Sequence, residues 1–376
     1  MRGVNPKWII ISGIFLVGLS ISSFLIFTNG THIVQIGGYF DGTGDDTQDG
    51  IATDIFIKND IAFLVDGSDG LEILDISDPL NIQELGQIDN DAGSLYARKV
   101  FVSEDVAYLA VKDNGLKLVD ISDPRNPTKI GFYWNNCSIL DVIISEDVAY
   151  IAAGENGVEI LNISNPSNIV QISNYTDNYN ITWGLDFNEQ ENLLYVADRS
   201  DGLEILDVSN LNSPVELGQL KLERAIEIEV IGNYAFITLY DNGLSIIDVS
   251  DPSDPLEISN FEYGVIKDVA VNGTSCYLVT DRGLVMLDVS DPVNPVIANI
   301  YANQYSANGV LIIEDLIFYA NGYSGLEILQ IKPTHLNYYL GGFFLVPGLI
   351  MVYFGLKLSG KINEEQERME KFVRNY

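Results

Sequence analysis

One phrase recurs seven times and leaves few folds open to this chain. It reads Leu71-Glu-Ile-Leu-Asp-Ile-Ser-Asp-Pro79, then Leu116-Lys-Leu-Val-Asp-Ile-Ser-Asp-Pro124, Val158-Glu-Ile-Leu-Asn-Ile-Ser-Asn-Pro166 and Leu203-Glu-Ile-Leu-Asp-Val-Ser-Asn-Leu211. It continues with Leu244-Ser-Ile-Ile-Asp-Val-Ser-Asp-Pro252, Leu284-Val-Met-Leu-Asp-Val-Ser-Asp-Pro292 and Leu326-Glu-Ile-Leu-Gln-Ile-Lys-Pro333, each preceded by glycine. The intervals are 45, 42, 45, 41, 40 and 42 residues. Within the first period, four short apolar runs (53–58, 61–66, 71–76 and 82–88) are separated by Asn-Asp, Asp-Gly and Asp-Pro turn formers. No stretch of the repeat region has helical periodicity, so the reading is all-β. A period of 40–45 residues built of four strands is one blade of a β-propeller.

The seventh period ends after its third strand. Its missing partner is found at the other end of the repeat region, as Ile33-Val-Gln-Ile-Gly-Gly-Tyr39. The expectation is a seven-bladed ring closed by this N-terminal strand, with no open edge left to recruit another chain. A ring closed in this way implies no oligomer.

The repeats resemble the LVIVD-repeat family of archaeal and bacterial cell-surface propellers, best at Leu118-Val-Asp-Ile-Ser-Asp-Pro124 and Ile246-Ile-Asp-Val-Ser-Asp-Pro252. The resemblance covers residues 33–332 and implies surface display and binding rather than one reaction. The chain departs from it at Asn162, Asn165, Leu211 and Gln330, all turn positions.

Two apolar runs flank the repeats. Residues 8–28 are long enough to span a bilayer as a helix, and residues 338–356 form a second candidate, with Tyr338 and Tyr339 as interfacial aromatics. Arg2 and Lys7 precede the first run; Lys357, Lys361, Arg368, Lys371 and Arg374 follow the second. Positive flanks stay inside, so residues 1–7 and 357–376 are expected in the cytoplasm and residues 29–337 outside, at the plasma membrane. A cleaved signal peptide is the competing reading of the first run, which is long for one and lacks an A-x-A site. The net charge of −33 lies wholly in the middle of the chain, because the two ends are basic. So acidic a domain repels phosphate backbones, and nucleic acid is not an expected partner. Cys137 and Cys276 are too few and too scattered for a disulfide framework or a CxxC metal site.

Chain direction orients the propeller. Fourth-to-first and second-to-third connections share one face, termed the top; the ring's entry and exit lie at the bottom. With membrane helices at the bottom, the top points away from the membrane. There the sequence places aromatic candidates for an extracellular protein or glycan partner: Tyr133, Trp134, Tyr175, Tyr179, Trp183, Tyr263 and Tyr305. The second-to-third turns add Asp66, Asp69, Asp113, Glu155, Asp198, Asp201, Asp241 and Asp281, which also suit plain turn formation.

Alignment of the innermost strands gives a further ring: Asp54, Lys99, Asp141, Gly184, Glu227, Asp268 and Gly309. Asp54, Asp141, Glu227 and Asp268 around a channel suit Ca²⁺, an oxygen-seeking cation, and from that follows the alternative of a Ca²⁺-dependent hydrolase. The competing reading is hydrogen bonding to the neighbouring blade, with Lys99 as neutralising charge. The two histidines, His32 and His335, border the apolar runs, so neither a Ser-His-Asp site nor a His-rich metal site is expected at the channel. The leading expectation is a non-catalytic binding scaffold.

Overall fold

The computed structural model describes residues 23–24, 31–40, 51–67, 70–89, 97–112, 115–134, 136, 138–176, 181–303, 307–322, 325–333, 340–346 and 350–356. Six repeats each fold into a four-stranded antiparallel sheet in chain order. The first blade is Ala52–Lys58, Ile61–Asp66, Gly70–Asp75 and Gln83–Ile88. The first strands of successive blades, from Ala52–Lys58 through to Gly309–Ile313, touch one another in sequence, and the last touches the first. They form the inner wall of a closed seven-membered ring.

The burial pattern explains the sequence pattern. Second and third strands are packed on both faces by neighbouring blades, so they read as continuous apolar runs such as Ala62-Phe-Leu-Val65. Outer strands have one packed face; in Gln83–Ile88 the half-buried residues are Leu85, Gly86 and Ile88, with the alternation interrupted by a bulge beside Gly86. Each apolar cluster lies between two blades. Phe63, Val65, Leu71 and Ile73 of the first blade, for example, pack on Val100, Val102, Leu109 and Val119 of the second.

The recurring Asp-Ile-Ser-Asp-Pro phrase is two consecutive side-chain-capped turns. Asp75 Oδ1 accepts the Ser77 N–H at 3.0 Å, and Asp78 Oδ1 accepts the Leu80 N–H at 3.0 Å. The same pairs recur at Asp120/Ser122 with Asp123/Arg125, and at Asp248/Ser250 with Asp251/Ser253. Hydrogen bonds from the Ser77 hydroxyl and backbone hold the Asp75 carboxyl below the usual range. The turns also dock blade on blade. A Cβ at Gly86, Gly131 or Gly218 would collide with the carbonyl of Pro124, Pro166 or Pro252 in the next blade. Where the phrase breaks at Leu211, the preceding blade carries Ser173 at this position, and its hydroxyl donates to the Leu211 carbonyl at 2.6 Å.

The seventh blade is completed from the N-terminal side: Thr31–Tyr39 pairs beside Leu326–Pro333, outside Leu316–Ala320 and Gly309–Ile313. The expected closing strand is therefore present. A Cβ at Gly325 would meet the Tyr39 carbonyl as one at Gly115 would meet that of Tyr133, so the added strand takes the same register as an ordinary outer strand. Gly37 abuts the Pro79 carbonyl of the first blade, and the Tyr39 hydroxyl donates to Glu84 at 3.1 Å, which continues the blade-to-blade pattern across the seam.

The compact propeller unit spans Ile33–Ile331; residues 1–32 and 332–376 belong to a second unit. That second unit holds the stretch 338–356, expected from the sequence as a spanning helix. Leu340–Val346 and Ile350–Leu356 are antiparallel strands, joined by Ser23–Phe24 on the other side of Leu340–Val346. The segment is rich in aromatic and β-branched residues, which favour strands. Among the described residues no helix is long and apolar enough to cross a membrane. Residues 1–22, 25–30 and 357–376, and with them most of the first expected span and the tail, lie outside the described residues.

Candidate functional site

Each inner strand starts at the top face and runs down the channel wall. Asp54, Lys99, Asp141, Gly184, Glu227, Asp268 and Gly309 hold equivalent positions, opposite Val65, Ala110, Ala152, Ala197, Thr238, Val279 and Ala320 of their second strands. They form one layer around the channel, as the alignment anticipates. The Lys99 ammonium reaches into that layer, 3.2 Å from Glu227, 3.5 Å from Asp268 and 3.7 Å from Asp54. Burial works against its charge, but the carboxylates of Asp268, Glu227, Asp54 and Asp141 outweigh it and hold the amine well above its ordinary pKa.

The carboxylates are also committed to backbone. Asp54 accepts the Val100 N–H, Asp141 the Leu185 N–H and Asp268 the Val310 N–H, each at 2.8 Å and each from the next blade. Two residues further down, on the same face of their strands, Asp186 accepts the Val230 N–H at 2.5 Å and Glu229 the Val271 N–H at 2.7 Å. Five of the seven blade junctions are thus stapled by a buried or half-buried carboxylate. At the seam, the Asn308 amide donates to the Ala52 carbonyl at 2.8 Å instead. The two glycines of the layer follow from close approach: a Cβ on Gly184 would strike the Ile226 carbonyl, and one on Gly309 would press on Asp54. Burial pushes Asp141 and Asp268 up to about 7 and Glu229 up to about 8, and raises Asp54 and Asp186 as well.

These residues do not fit a Ca²⁺ ion. One oxygen each of Asp54, Asp141 and Asp268 is spent on a neighbouring strand, and the Lys99 ammonium occupies the position of the cation. Among the described residues, no group of three or more His, Cys, Asp or Glu side chains is arranged to hold a metal.

The Lys99 layer divides the channel. Below it a cavity of about 550 Å³ opens toward the bottom turns at Glu146 and Glu189, walled by Val142, Leu185 and Val269. Above it a smaller cavity of about 200 Å³ forms the channel mouth on the top face, lined by Thr53, Arg98, Lys99, Trp183, Ile226, Glu227, Tyr240, Lys267 and Asn308. Here the Arg98 guanidinium lies 4.7 Å from the centre of the Trp183 ring and that of Arg199 lies 5.2 Å from it. Arg98 also pairs with Glu227 at 2.8 Å. The Lys267 amine donates to Asn308 at 2.8 Å, and burial lowers its pKa. Arg98, Arg199 and Lys267 were not singled out by the repeat. Their signal is weak in sequence: three of the chain's few cations stand beside inner-strand starts or a second-to-third turn.

The aromatic candidates separate into two groups. Tyr133 and Tyr175 end outer strands; their hydroxyls donate to Glu159 at 2.9 Å and Glu216 at 2.6 Å of the next blade, and their rings join the inter-blade clusters. Tyr263 stacks on Phe261, with ring centres 5.7 Å apart. Trp134 is 60% exposed and Trp183 is half-buried at the mouth. Tyr179 and Tyr305 lie outside the described residues, as do Asp69 and Asp113 of the turn series. Of the remaining turn acids, Asp198 caps its own turn by accepting the N–H groups of Ser200 and Asp201, and Asp241 pairs with Arg224.

The model of the LVIVD repeat matches six stretches: residues 49–90, 95–134, 138–177, 190–221, 224–262 and 263–303. The seventh blade, divided between the two ends of the propeller, is the one left unmatched. No curated protein matches the chain. Among solved structures, the chain resembles the β-propeller domain of Cps50 (Swd1) from Myceliophteria thermophila, at 12% identity and a TM-score of 0.61 over 76% of this chain and 99% of that one. It also resembles BamB from Moraxella catarrhalis (12% identity, TM-score 0.57, covering 88% and 96%) and the computationally designed Ika8 protein (11%, 0.55, covering 79% and 100%). At such identities the likeness is one of fold alone.

Proposed function

The chain belongs to the LVIVD-repeat family, and on that premise we propose that it is a non-catalytic binding scaffold, held at the plasma membrane by its apolar ends and presenting the propeller's top face to an extracellular protein or glycan. The observation that carries this reading is the division of the channel. Below the Lys99 layer the polar groups are consumed in joining blades; above it, at the mouth, cationic and aromatic side chains converge beside exposed surface. Aromatic and Arg side chains are the usual anchors of recognition surfaces. Trp134 and Trp183 are the aromatics of this face that we assign to contact; Tyr133 and Tyr175 serve the blade interfaces.

Membrane attachment draws its support from sequence: the apolar runs 8–28 and 338–356 and their basic flanks. The closing strand enters the ring, and the last strand leaves it, on the face opposite the mouth. Protease added to intact cells should cut the propeller and spare the tail beyond Lys357.

The test is capture of surface components by the full-length chain, probed on a glycan array and against envelope extract. Trp134→Ala with Trp183→Ala should abolish capture while the melting temperature stays close to wild type. The bottom-face pair Arg125→Ala with Lys129→Ala should leave it unchanged. Undiminished capture by the tryptophan variant would remove the top face from consideration.

A further inference from the structure

We propose that the channel mouth is a carboxylate-binding site, with Arg98 and Lys267 as the groups that hold the anion. The proposal rests on the reading of the top face as the recognition surface and adds to it the chemistry of the ligand.

The mouth stands out by its charge. The domain around it is strongly acidic, yet among the described residues this cavity of about 200 Å³ is lined by Arg98, Lys99 and Lys267 against the one carboxylate of Glu227. The Lys99 charge is directed downward and shared among Glu227, Asp268 and Asp54. Arg98 gives one Nη to Glu227, while its Nε meets no acceptor; neither does the indole N–H of Trp183 against which it lies. A buried donor without an acceptor is costly, so such a pair marks a place where an acceptor is wanted. Trp183, 4.7 Å from the guanidinium at its ring centre, fixes the orientation of the Arg98 plane. A planar guanidinium fork held in this way matches a carboxylate, which takes two parallel N–H donors. Glu227 at the floor disfavours a multiply charged anion such as phosphate, because its own charge stays close to the site. The lysine on the opposite wall, Lys267, supplies the second positive charge.

The experiment is isothermal titration of the full-length chain at low ionic strength with glucuronate, acetate, glucose and inorganic phosphate. Glucuronate should bind, glucose should not, and phosphate should bind more weakly than either carboxylate that binds. Acetate binding as tightly as glucuronate identifies the carboxylate as the whole of the recognised group; binding of glucuronate alone identifies a sugar-borne carboxylate. Arg98→Gln should weaken glucuronate binding about tenfold or more, and Lys267→Gln should weaken it in the same direction. Arg125→Gln on the opposite face should have no effect. If Arg98→Gln melts early, the Lys267→Gln result decides. Absence of binding by both carboxylates overturns the proposal. So does equal binding of glucose, tighter binding of phosphate, or unchanged affinity in both mouth variants. A failed titration alongside retained tryptophan-dependent capture removes the carboxylate site and leaves the top-face reading standing. Glucuronate binding without such capture does the reverse.

Discussion

The Lys99 ammonium lies 3.2 Å from the Glu227 carboxylate and so links the second blade to the fifth across the channel. This cation and the backbone donors of the next blades make the acidic layer compatible with burial. Replacing Lys99 by Met strands several carboxylates in a closed space, and loss of one partner of a buried ion pair costs about 3–5 kcal/mol. Denaturant unfolding of Lys99→Met should show a loss of that order. Adding Glu227→Gln should recover part of it; a Lys99→Met protein as stable as wild type would refute the neutralising role.

The channel also sets a pH dependence. Asp141 and Asp268 at about 7 and Glu229 at about 8 bind protons more tightly folded than unfolded. Their contribution is fully present below the ordinary carboxylate range and is lost as pH rises through 7 to 8. The turn acids Asp75, Asp120, Asp207, Asp248 and Asp288 have the opposite shift, caused first by hydrogen bonds from serine hydroxyls, so their contribution is lost as pH falls below that range. Melting temperature should therefore peak in mildly acidic solution and drop by several degrees at pH 8.5. The destabilisation of Lys99→Met should shrink as the channel acids protonate. A flat profile between pH 5.5 and 8.5 would contradict this account.

At Gly86, Gly131 and Gly218, blade docking depends on the absence of a side chain. Gly131→Ala places a methyl against the Pro166 carbonyl and should cost about 1–3 kcal/mol, as overpacking does. Gly273, with φ +60 and open space around it, is the control. Its alanine variant pays only for the left-handed backbone, about 1 kcal/mol, so Gly131→Ala should melt at or below Gly273→Ala.

Removal of residues 31–39 takes away the outer strand of the seventh blade and exposes the edge of Leu326–Pro333. Exposed edges recruit other chains. Size-exclusion chromatography should show self-association of the deletion variant and a lowered melting temperature; an unchanged monomer of wild-type stability would mean that the ring does not close through this strand.

How far the sequence carried these conclusions differs from one part of the chain to another. The blades and the seam were legible because the Asp-Ile-Ser-Asp-Pro phrase, or its Asn variant, performs one local task six times, and because Ile33–Tyr39 imitates an outer strand. The channel layer was legible too, since inner strands align residue for residue and alternation fixes which side chains face inward. Asp186 and Glu229 were available by the same two-residue step but are hidden unless the second layer is also aligned. The mouth was available by the same alignment, because Arg98, Trp183 and Lys267 each stand one residue before the aligned layer at Lys99, Gly184 and Asp268, but its residue types differ from blade to blade and Arg199 comes from a second-to-third turn outside that period. Tyr133 and Tyr175 have the composition of a ligand platform but end strands where the next blade offers a glutamate. Leu340–Val346 and Ile350–Leu356 are strands within a run whose apolarity alone does not separate a spanning helix from a strand pair.

The central claim, that the channel acids join blades while recognition belongs to the mouth, is tested most directly by thermal unfolding of the full-length chain with increasing Ca²⁺. A ligand present at 100 times its dissociation constant adds about 2.7 kcal/mol to stability, so a true site would raise the melting temperature visibly. The account predicts no rise, and the same lack of response in Asp268→Asn. A Ca²⁺-dependent rise in wild type that disappears in Asp268→Asn would contradict it and return the channel to the role of a metal centre.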